Sequence, residues 1–152
     1  MYVGQTDAMG PGDDCPAHLV RHCSGASITK LAALFRLPPA MQDWPVIVAD
    51  PSRVDEFLNA YDLPSLDADD RFVLMQLVIG SLDDGRQAGE SVEASWRRAE
   101  ALLRRDSGLH ASTLSYWACG DDPDPEHQLP MTPEIQALWR DLRLATGATG
   151  RT

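Results

Sequence analysis

Cys15, His18, His22 and Cys23 place four metal-ligand side chains within nine positions, in the run Cys15-Pro-Ala-His18-Leu-Val-Arg-His22-Cys23. Thiolate sulfur and imidazole nitrogen are donors that zinc prefers, and a helix here would set His18 and His22, four apart, on one face. Two features of the spacing work against a zinc site. Adjacent residues such as His22 and Cys23 point about 100° apart on a helix. The dozen or so residues that separate the two ligand pairs of a zinc finger are also missing. The four residues stand as a candidate zinc-binding arm, set against a plainer expectation: an N-terminal stretch without regular structure. No cofactor is implied anywhere in the chain.

Carboxylates supply a second kind of candidate chemistry. Asp121-Asp122-Pro123-Asp124-Pro125-Glu126-His127 is an acidic, proline-separated run. A calcium loop of the EF-hand type needs glycine at its sixth position and a bidentate glutamate at its twelfth. Counted from Asp122 those positions hold His127 and Pro133, so the pattern fails. Asp83 and Asp84 follow a long apolar run and are expected in a turn, where the field of a helix C-terminus does not favour them. Asp83, Asp84, Asp121, Asp122, Asp124 and Glu126 are therefore the candidate partner-binding residues. Asp69 and Asp70 are explained instead by the positive end of the helix they open.

Nucleophilic and phosphate chemistry finds no signature. The sequence contains no G-x-S-x-G, P-loop, G-x-G-x-x-G or H-E-x-x-H pattern. Cys119 is expected at the C-terminal end of a helix, where the dipole disfavours a thiolate. His110 falls on a face that packs inward and reads as a structural histidine. Arg97-Arg98 and Arg104-Arg105 form two basic ridges, but Glu93, Glu100 and Asp106 are interleaved with them and are expected to neutralise them. These features lean against an enzyme. The alternative is an enzyme whose site is assembled from scattered groups such as His110, His127 and nearby carboxylates.

The elements that would position these residues are helices. Ser27 is a candidate cap for a short helix from Ile28 to Arg36, closed by Pro38-Pro39. Trp44 precedes a proline and Val46-Ile47-Val48 is β-branched, so residues 45–49 are expected to be extended. Asp50-Pro51 opens a helix with Val54, Phe57, Leu58 and Tyr61 on one stripe. From Phe72 to Leu82, eight of eleven positions are apolar and cover nearly the whole circumference. That marks a buried central helix, about residues 68–83, begun at Asp67. Ser91 or Glu90 opens the next, with Val92, Trp96, Ala99, Leu102 and Leu103 inward and Gly108 as a left-handed stop. A shorter helix from Leu109 to Cys119 directs Leu109, Leu114, Tyr116 and Trp117 inward. Thr132-Pro133-Glu134 begins the last one, with Ile135, Leu138, Trp139 and Leu142 as its stripe.

The expected fold class is all-α, five or six helices around that central one, with a single domain over 27–146. Residues 1–26 read as a weakly ordered arm and 147–152 as a frayed tail. Three cysteines at irregular spacing give no disulfide framework. The first thirty residues hold no apolar run of signal-peptide length and no stretch approaches membrane-spanning length, so a reducing cytoplasm is expected.

Acidic residues outnumber Lys and Arg by 23 to 13, a formal charge of −10. Such a field repels nucleic acid and anionic membranes, whose binding requires cations to neutralise phosphates. The expected partner is a basic protein, and the expected role a protein-binding or regulatory module. In size and acidity, and in nothing finer, the chain is similar to the acidic immunity proteins that neutralise basic toxins. That resemblance implies a basic partner and assigns no residue.

Overall fold

A computed structural model describes residues 21–38, 44–118 and 128–150. Among the described residues there are six helices of seven or more residues and no strand. The fold is all-α, as the apolar periodicity requires. The described helices fall into two compact units, one within His22–Leu109 and one from His110 onward, to which Arg21 also belongs. No shift in composition marks that boundary within the 27–146 stretch.

In the first unit, helix α1 spans Gly25–Phe35. Its cap is Ser24, whose Oγ accepts from the Ser27 amide at 3.0 Å, rather than Ser27 itself. Ser24 offers the same capping hydroxyl three residues earlier, which leaves Ser27 free to face inward, and Ser27 is buried. Leu31, Ala32 and Phe35 form the buried side. The helix stops at Arg36, held in the left-handed region at φ 56°, ψ 47°.

Residues Trp44–Ile47, expected to be extended, form one turn of helix, α2. The ring of Pro45 fixes φ at about −65°, a value a helix accepts, and at a first-turn position its missing N–H leaves no bond unmade. Trp44 is fully buried and donates its indole N–H to the Pro38 carbonyl at 2.7 Å, which outweighs the weak local preference for extension. Extended backbone is found instead at Asp50 (φ −149°, ψ 105°).

Asp50 caps a 3-10 turn, Pro51–Arg53, that runs into α3, Val54–Ala60. Val54, Phe57, Leu58 and Tyr61 are all buried, as their spacing predicts. Helix α4 spans Ala68–Gln87 and is the centre of this unit, packed against α1, α2, the 3-10 turn, α3 and α5. Of the eleven residues from Phe72 to Leu82, all but Gln76 are buried. Each large aliphatic or aromatic side chain so enclosed contributes roughly 2 kcal/mol of apolar transfer.

The turn expected at Asp83 is absent, because α4 continues for another turn. What stops it is Gly89 at φ +83°. The Gly89 and Glu90 amides return to the carbonyls of Arg86 and Gly85, at 3.0 and 2.9 Å, and so close the helix with a left-handed glycine. Gly85 meets a different need. A β-carbon there would lie 3.1 Å from Val92 Cγ1 and 3.2 Å from Pro51 Cβ, so glycine lets α4 pass close to both.

Helix α5, Glu93–Arg105, begins without a side-chain cap. Val92 holds the capping position and is buried, so neither Ser91 nor Glu90 opens the helix. Trp96, Ala99 and Leu103 face the core. The helix ends at Asp106, whose amide bonds Leu102 O at 2.9 Å, and Gly108 is not in the left-handed region.

The second unit contains α6, Ala111–Trp117, and α7, Thr132–Gly150, packed on each other. Leu114, Trp117, Ile135, Leu138 and Trp139 are buried. Tyr116, expected to point inward, is 46% exposed and lies edge-on to the Trp117 ring, 5.7 Å between centroids. The helical backbone of α7 continues to Gly150, past the position where the Gly/Thr composition predicts fraying.

Candidate functional site

Cys15 and His18 lie outside the described residues. His22 and Cys23 sit in the irregular stretch 21–24 that leads into α1, so the helix that would align His22 with His18 is not formed there. His22 is exposed and Cys23 half-buried. Burial pushes the Cys23 thiol up from its ordinary value, against a hydrogen bond with the Gln76 side chain that lowers it. A thiol held protonated is a poor ligand and a poor nucleophile. Among the described residues no three His, Cys, Asp or Glu side chains gather closely enough to hold a metal ion.

Asp121, Asp122, Asp124, Glu126 and His127 are likewise outside the described residues. Asp83 and Asp84 lie in the last turns of α4, the first half-buried and the second exposed. They extend into the negative end of a twenty-residue helix, with Glu90 exposed just past its glycine stop. His110 is 0% exposed, at the residue that precedes α6.

The polar groups drawn together most tightly centre on Asp70, which the sequence marks only as a helix-start acid and not as the partner of Ser27 and Lys30. Asp70, 2% exposed, accepts from Ser27 Oγ and from Lys30 Nζ, each at 2.7 Å, and from the Asp67 amide at 3.0 Å. Lys30 also donates to the Ser65 carbonyl. Asp67 returns the favour to the Asp70 amide at 2.9 Å, completing a reciprocal capping box at the start of α4. Burial pushes the Asp70 carboxyl up, but the bonds from Lys30, the Asp67 amide and Ser27 together hold it below its ordinary value. The available signals were the Asp-x-x-Asp spacing of the box and the fact that Lys30 is the chain's one lysine.

A second cluster surrounds Tyr61. Its hydroxyl donates to Asp106 Oδ2 at 2.8 Å, Arg71 Nε donates to its carbonyl at 3.0 Å, and the Arg105 guanidinium lies 5.7 Å from its ring centroid. Arg105 forks onto both oxygens of Asp62, at 3.1 and 2.8 Å, and also reaches Asp106. Burial first, and then the Asp106 bond, push the phenol far above its usual value, while the Arg105 fork lowers Asp62.

The arginine ridges are paired much as their interleaved acids predict. Arg97 faces Glu93 at 3.8 Å, Arg104 faces Glu100 at 2.9 Å, and Arg98 reaches Asp55 on α3 at 3.3 Å. Arg53 grips Glu56 at 2.7 Å and donates to the Phe35 carbonyl at the end of α1.

In the second unit, Thr132 Oγ1 donates to the Trp117 carbonyl at 2.7 Å and accepts from the Leu129 amide at 2.9 Å. Gln136 Nε2 donates to the Ala118 carbonyl at 2.9 Å. Carbonyls that α6 leaves without helical partners are thereby satisfied from α7. All three clusters tie helix to helix. Chemically they fix geometry, and the hydroxyls that lie against carboxylates, Ser27 on Asp70 and Tyr61 on Asp106, belong to buried residues.

No protein-family model matches the chain, and no curated protein or solved structure matches it.

Proposed function

We propose that this protein is a protein-binding or regulatory module whose acidic exterior engages a basic protein partner. The observation that carries the proposal is how its cations are used. Lys30, Arg53, Arg97, Arg98, Arg104 and Arg105 each face a carboxylate of the same chain, against a formal charge of −10. These six of the thirteen cations are each matched by an acid of the same chain, and the remaining excess of carboxylates sets the outer field. A field of that sign speeds association with a positively charged surface and weakens under salt screening. Asp83 and Asp84, in the last turns of α4, are the described residues assigned to the contact, with Asp121, Asp122, Asp124 and Glu126 completing the set.

Among the described residues no helix is long and apolar enough to cross a membrane. We place the protein in the cytoplasm, where the Cys23 thiol stays reduced. Nucleic acid is disfavoured as a partner by the sign of the charge.

The test is affinity capture from a lysate of the source organism at low and at high salt, with the bound proteins identified by mass spectrometry. A basic protein retained at low salt, released at high salt and weakened by Asp83→Asn/Asp84→Asn supports the proposal. Recovery of nothing at either salt, or of a partner insensitive to salt and to the double variant, overturns it.

A further inference from the structure

We draw no further inference here: the strongest candidate, the side-chain cluster in the second unit where Thr113 Oγ1 on α6 and Trp139 Nε1 on α7 are buried without hydrogen-bond partners, carries nothing because nothing in the structure shows that the two atoms face a common cavity or what would occupy it.

Discussion

Lys30 holds its ammonium 2.7 Å from Asp70 Oδ2, so the chain's single lysine neutralises a carboxylate enclosed between α1 and the start of α4. A buried hydroxyl or amide left behind without its acceptor carries a desolvation cost that the lost bond no longer offsets. Asp70→Ala removes the acceptor for Ser27, Lys30 and the Asp67 amide together. Lys30, whose side chain is 43% exposed, is left to water, so the cost lies in the lost hydrogen bonds to Ser27 and the Asp67 amide and is expected to be about 2 kcal/mol. Ser27→Ala, which removes one of several bonds, should cost about 1 kcal/mol. Urea denaturation of both variants checks the order, and equal costs would show that Asp70 is not the hub.

The same carboxylate gives the protein an acid limb. Its folded value lies below the ordinary 3.8, so its contribution to stability is complete above that pH. The contribution is lost as pH falls through the folded value. Stability measured against pH should drop below about pH 4, and Asp70→Asn should flatten the part of that drop due to this residue.

Tyr61 predicts the opposite limb. Its folded value is raised above the ordinary 10.0, chiefly by burial and then by its bond to Asp106. The stability it confers is complete below that pH, and declines as pH rises and the unfolded chain alone releases the proton. Tyr61→Phe should lower stability at neutral pH by about 1 kcal/mol and remove the Tyr61 share of the alkaline decline. Denaturation midpoints taken on both sides of pH 10 check this. An unchanged alkaline slope in the variant would refute it.

Two helix ends have left-handed backbone, one on glycine and one not. Gly89→Ala meets open space, so its penalty is conformational alone, about 1 kcal/mol. Arg36→Gly releases the same kind of penalty at the end of α1 and is expected to stabilise by up to about 1 kcal/mol. Thermal melts of the two variants should move in opposite directions.

In the second unit, Thr132→Val keeps the shape of the side chain and deletes the hydroxyl that serves the Trp117 carbonyl and the Leu129 amide. With both backbone groups left short of a partner, the expected loss is about 2 kcal/mol. Hydrogen exchange of the Leu129 amide should quicken in this variant. Unchanged exchange would mean that the amide draws its protection from elsewhere.

How much of this was legible in the sequence depended on the range of the interaction. The stripes of α3 and α5, the enclosure of Phe72–Leu82 and the caps at Asp50 and Asp67 are local patterns with a helical period, and they read directly. The α2 turn did not, because burial of Trp44 overrules the preferences of four residues. Asp83-Asp84 looked like a turn because polar pairs often mark one, yet acidic residues do not stop a helix, and Gly89 does. The Lys30–Asp70 pair spans forty positions and the Tyr61–Asp106 pair forty-five, and no spacing rule reaches that far. Of the candidate site residues, His22, Cys23, Asp83 and Asp84 can be placed; the first two are not part of a described metal cluster.

Because one ε-amine serves the whole side-chain complement, reagents that couple through lysine would converge on the group that anchors α1. Attaching this protein to a resin or a fluorophore by that route would strip Asp70 of its counter-ion and bias any capture experiment toward a loosened fold. A tether fixed through other chemistry keeps the bait intact.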